Sequence, residues 1–176
     1  PMDKIRVANY YESRLGRNDG NPLYMFRAFG KVDPNVESGH FAPTGEYAGF
    51  GKWDLHFEAD WGEDALASAG LIPYEVKDIP HPNAYWASDT HLGFDYRLEK
   101  AKRFDHVFCA QKRAVEEFAA KGVKAIWLPH AVHTEAYFSQ ESIPKYDVCF
   151  VGHINSQNRV EALDRLFAEF PDFFYG

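Results

Sequence analysis

The richest cluster of reactive side chains lies in AYWASDTHLGFDYR, Ala84–Arg97. An apolar run there leads straight into Asp89, Thr90 and His91. A carboxylate beside an imidazole can take a proton from an attacking hydroxyl, with Asp89 as the base or as the group that orients His91. Ser88, Asp89 and Thr90 are also good helix N-caps, but a cap accounts for neither His91 nor the flanking Trp86. A second group, Glu58–Asp64 (EADWGED), places Glu58 and Asp60 two apart, on one face of a strand. Such a pair can hold sugar hydroxyls, an ammonium group or a metal, or can be a solvated acidic loop; no histidine stands at metal-ligand spacing from it. A third, ESRLGRNDGN, carries Glu12, Arg14, Arg17, Asn18 and Asp19 together with Gly16 and Gly20. Glycines let backbone approach a ligand, but the dinucleotide fingerprint G-x-G-x-x-G is not met. A plain solvated loop fits this stretch as well.

Two further segments follow apolar runs. LPHAVHTEAYF brings His130 and His133, whose spacing resembles paired metal ligands but which lack a third; cleft or surface histidines fit better. FVGHINSQNR runs from a strand-like segment through Gly152 and His153 to a helix start near Asn158. Free amides at that helix start can receive a phosphate, and Arg159 can pair with it. Ser156 or Asn155 as an ordinary N-cap is the structural alternative. The nucleotide-hydrolase pattern G-x-x-x-x-G-K-[ST] is absent.

The elements that must carry these residues alternate. Strands are expected at Ile5–Tyr11, Trp53–Trp61, Ala84–Ser88, His106–Ala110, Ala125–Leu128 and Tyr146–Val151, with a last one beginning at Asp172. Helical patterns occur at Leu23–Gly30, Asp64–Ala69, Leu98–Phe104, Lys112–Lys121 and Asn158–Phe170, with Gly122 closing the fourth as a C′ residue. Val32–Lys52 is rich in Gly and Pro, shows no clean period, and reads as a long loop. This order predicts an α/β fold: a Rossmann-like parallel sheet with helices on both faces. Ligands in such sheets bind at the carboxyl ends of the strands, where Asp89, His91 and the Gly152 loop fall. The strand beginning at Asp172 has no helix after it and no sequence left to pair with, so the chain reads as part of a longer protein.

Composition narrows the class. A chain of 176 residues with 45% hydrophobic and 16% aromatic content can bury a real core. A formal charge of −7 disfavours a phosphate-backbone partner, so no nucleic acid is expected. Cys109 and Cys149 both sit in apolar runs and read as buried thiols of a reducing, cytoplasmic setting. No secretory leader pattern and no membrane-length apolar run is seen.

The run from YWASDTHLGFDYR to LPHAVHTEAYF resembles the CgeB-like (spore-maturation-type) bacterial glycosyltransferases. LPHAVHTEAYF also resembles the P-x-x-V-D-x-x-x-F stretch between the domains of group-1 glycosyltransferases, with His133 standing where Asp is usual. FVGHINSQNR is similar to the first strand and phosphate-side loop of a nucleotide-sugar domain. The likeness spans Ala84–Phe170. It implies the N-terminal half of a GT-B fold: an acceptor-side domain over residues 1–143, then residues 144–176 as the truncated start of the C-terminal donor-side domain. It implies transfer of a sugar from a nucleotide-sugar to a carbohydrate or glycosylated acceptor, with no cofactor and no bound metal. Asp89 or His91 would activate the acceptor hydroxyl. Glu12, Arg14, Asn18, Asp19, Glu58, Asp60 and Trp86 would bind the acceptor. Gly152, His153 and Arg159 would face the donor phosphates. The chain alone would be inactive, needing the remainder of its C-terminal domain. The alternative from another class is a noncatalytic Rossmann-like module that binds a ligand or partner at the same strand ends.

Overall fold

A computed structural model describes residues 4–10, 28, 29, 31, 33–41, 53–60, 80–132, 134, 146, 148–154, 156–170, 174 and 175. Their contacts divide the chain into two units, Pro1–His133 and Thr134–Gly176. The expected boundary near Ile143 lies outside the described residues.

The first unit holds a six-stranded parallel sheet in the order β2-β1-β3-β4-β5-β6. Its strands are β1 (Ile5–Tyr10), β2 (Val36–Phe41), β3 (Leu55–Ala59), β4 (Asn83–Ala87), β5 (His106–Cys109) and β6 (Ala125–Trp127). The chain steps outward from β1 to β2, then returns across β1 to build β3 through β6. The order therefore reverses between β1 and β3, the position at which doubly wound sheets open a crevice.

β4 is buried at every position because it sits inside the sheet. Its alternate side chains enter two separate cores. Tyr85 and Ala87 join Ala8, Val107, Cys109 and Ala125 under the helices α1 (Phe94–Ala101) and α2 (Lys112–Ala120). Ala84 and Trp86 join Val7, Phe57 and Ala59 on the opposite face, where the Phe29 ring meets Phe57 edge-on at 5.4 Å. Residues 28, 29 and 31 are helical; residue 31 lies beyond the expected end at Gly30, and the rest of Leu23–Gly30 lies outside the described residues. The Asp64–Ala69 helix lies outside the described residues.

α2 buries Ala114 and Phe118 four apart on one face. It ends as expected at Gly122, whose φ of 81° is left-handed. The Gly122 N–H bonds the Ala119 carbonyl and the Val123 N–H the Phe118 carbonyl, each at 3.0 Å, which is a Schellman closure. At the amino ends of β4 and β5, Asn83 and Asp105 exchange two bonds, N–H to Oδ2 at 3.0 Å and N–H to Oδ1 at 2.8 Å. His81 adds a 2.8 Å contact to Asp105, and both neighbours hold that carboxyl below its usual range.

Three expectations are corrected. The stretch from Val32 is not all loop, because Val36–Phe41 pairs with β1 in parallel register. The strand near the carboxyl end is not partnerless: β8 (Phe174–Tyr175) pairs with β7 (Cys149–Phe150) in the second unit. Cys109 is buried but Cys149 is exposed. Only a two-stranded ladder surrounds Cys149 among the described residues, too little to cover it. The second unit also contains α3 (Gln157–Glu169), which buries Leu163.

Candidate functional site

The carboxyl end of β4 passes directly into the loop Ser88–Gly93 and then α1. Asp89 adopts a left-handed conformation with φ of 46°. Non-glycine residues enter this region rarely, and Asp is among those that tolerate it. Its carbonyl receives the Leu92 N–H at 2.7 Å, closing a tight turn. The turn leaves Asp89 and His91 exposed while Thr90 between them is buried. The Thr90 N–H and hydroxyl both donate to Gln111 Oε1, at 3.2 and 3.1 Å. The β4–α1 loop is thus fastened to the β5–α2 loop.

Ser88, Asp89 and Thr90 do not cap α1. Gly93 is the N-cap residue, without a side-chain cap bond. Arg97 reaches back instead, donating from Nη1 to the carbonyls of Leu92 and Gly93.

Glu58 and Asp60 do not stand open to a ligand or to solvent, as expected from sequence; both are buried beneath α1. Asp60 Oδ2 accepts from Arg97 Nε at 2.5 Å and from the Ser88 N–H at 3.3 Å. Glu58 pairs with Lys100, whose ammonium also lies 5.1 Å from the centre of the Tyr85 ring. Arg97 and Lys100 are three apart on α1 and so share one face, which meets Asp60 and Glu58. Burial, reinforced by the Asp60 charge, raises the Tyr85 hydroxyl well above its ordinary range, so it stays protonated.

Trp86 is likewise not a free stacking surface. It is buried, its indole N–H donates to the Leu128 carbonyl at 2.8 Å, and the exposed His130 ring meets it edge-on at 4.9 Å. An exposed ring stands two strands further on. Trp127, at the end of β6, is 48% exposed. Its N–H is held by the Ala110 carbonyl at 3.1 Å, and Lys112 Nζ lies 5.5 Å from its ring centre.

In the second unit, Gly152 and His153 are exposed. Arg159 Nη1 donates to the His153 carbonyl at 2.7 Å, folding the loop onto the start of α3. Ser156 is the N-cap residue of α3 but makes no side-chain cap bond. Glu12, Arg14, Asn18, Asp19 and His133 lie outside the described residues. Among the described residues, no three His, Cys, Asp or Glu side chains are grouped as a metal site.

The sequence reading missed Arg97, Lys100, Gln111 and Trp127. Two bases three apart in a helix, set against two acids two apart in a strand, carried the signal for the first two. Gln111 and Trp127 had only their places just beyond or at a strand's carboxyl end.

Comparison with protein-family models and with curated proteins finds no match to this chain.

Proposed function

We propose that this chain supplies the acceptor-side α/β domain, and the beginning of the donor-side domain, of a metal-independent glycosyltransferase acting in the cytoplasm. The observation that carries the proposal is the left-handed, exposed Asp89 beside exposed His91 at the carboxyl end of β4. Backbone strain of this kind tends to persist where a side chain must be aimed.

In the proposed reaction an acceptor hydroxyl attacks the anomeric carbon of a nucleotide-sugar, and the bond to the diphosphate breaks. Asp89 takes the hydroxyl proton, directly or by orienting His91 to do so. Trp127 offers the ring face against which an acceptor sugar stacks, in place of the buried Trp86. Within the second unit, the loop of Gly152 and His153 and Arg159 of α3 offer helix-start amides and a cation suited to a phosphate group. Among the described residues no helix is long and apolar enough to cross a membrane.

The test is donor turnover by the protein carrying both domains. UDP-, GDP- and dTDP-sugars are supplied with mixed oligosaccharide acceptors in the presence of EDTA, and nucleoside diphosphate release is followed. Release from at least one donor is expected, with residues 1–176 alone at background. Binding of an oligosaccharide with no release from any donor would favour the noncatalytic module.

A further inference from the structure

One buried ion pair grips the β4–α1 loop on both sides of its exposed residues. Before Asp89, the Ser88 N–H donates to Asp60 Oδ2 at 3.3 Å. After His91, the Leu92 and Gly93 carbonyls accept from Arg97 Nη1. Asp60 and Arg97 are joined to each other at 2.5 Å, with side chains only 1% and 10% exposed. The middle of the loop is held separately, by Thr90 on Gln111.

We infer that Asp60 and Arg97 are positioning residues, which set the direction of Asp89 and His91 without touching substrate themselves. A guanidinium suits this task because its fork donates to a carboxylate and to carbonyls at once, whereas an ammonium is a point donor. Low exposure keeps water from competing for those bonds. The neighbouring Glu58–Lys100 pair supplies the comparison: it joins the same helix to a residue two before Asp60, but Lys100 lies about one helical turn further from the loop.

The test compares Arg97→Lys and Asp60→Asn with the double variant Glu58→Gln/Lys100→Met. The first readout is hydrogen exchange of the Leu92 amide, which closes the Asp89 turn, against that of the Ala110 amide, which bonds Ala87 at the end of β4. In Arg97→Lys the Leu92 amide is expected to exchange about tenfold faster or more, with Ala110 unchanged, from loss of charge-assisted bonds. In the double variant the ratio of the two rates stays at its wild-type value. The second readout, which rests on the proposed transferase activity, is a fall in kcat of about 10²-fold with KM for the acceptor unchanged.

An unchanged Leu92-to-Ala110 ratio in Arg97→Lys, or an equal change in the double variant, would overturn the inference. If Arg97→Lys does not fold, Asp60→Asn carries the same comparison. A faster Leu92 amide alongside turnover indifferent to Asp89→Asn would uphold the positioning role and remove the catalytic one.

Discussion

Four charged side chains are buried together, Arg97 and Lys100 on α1 and Glu58 and Asp60 beneath it, and each has an opposite charge beside it. Removing one partner leaves the other stranded in a medium that solvates it poorly. Lys100→Met is therefore expected to destabilise the fold by about 3–5 kcal/mol, while Glu58→Gln/Lys100→Met costs less than the single change. Urea unfolding of both variants measures this, and a double variant less stable than Lys100→Met would contradict it. His56 adds a pH dependence. It is buried, and desolvation lowers its pKa from the ordinary 6.5. The unfolded chain takes up this proton first as pH falls. The stability from a neutral His56 is thus present above pH 6.5 and lost as pH falls from there toward the lowered folded value. A urea midpoint that drops below pH 6.5 in the wild type, and less steeply in His56→Gln, is the expected result. In the sequence, Asp89 and His91 were recognisable because an apolar strand runs directly into them. The burial of Asp60 was not, because its partner Arg97 lies 37 residues away. The direction of Trp86 was hidden too. A central parallel strand is covered on both faces, so alternation in NAYWA says nothing about which side is wet.

The elements show where local pattern and tertiary context part company. α2 and its Gly122 closure were legible because helix periodicity and a C′ glycine are local signals. β2 was not, since VESGHF contains Ser and Gly and gains strand form from its pairing with β1. Gly39 in that strand has a specific reason to be there. A Cβ added to it would lie 2.9 Å from Trp53 Cζ2, inside van der Waals contact. Gly39→Ala must displace the Trp53 ring or the edge strand, and a loss of about 1–3 kcal/mol is expected. Thermal melting of Gly39→Ala with and without Trp53→Leu checks this, and most of the loss should vanish in the Trp53→Leu background. Gly122→Ala differs because there is open space around the added carbon. Its cost is the left-handed backbone alone, about 1–2 kcal/mol. A Gly122→Asn variant should lose less, because Asn tolerates that conformation.

Both hydrophobic cores lie within Pro1–His133, whereas Leu163 is the one buried hydrophobic side chain among the described residues of Thr134–Gly176. Residues 1–133 alone are accordingly expected to unfold cooperatively in urea, and residues 134–176 alone to show no cooperative transition. A gradual, non-cooperative urea curve for residues 1–133 would contradict this. The parallel α/β order was readable from the alternation of strands and helices, and it alone directed attention to the carboxyl strand ends. The function assigned to that edge stands or falls with Asp89, and Asn is the informative replacement because it accepts the same left-handed backbone while removing the charge. The decisive measurement is nucleotide-sugar turnover by the proposed two-domain protein with Asp89→Asn, at a melting temperature equal to wild type. A fall in kcat of about 10²–10⁴-fold is expected for loss of a general base. Wild-type turnover in both Asp89→Asn and His91→Ala would contradict the catalytic assignment.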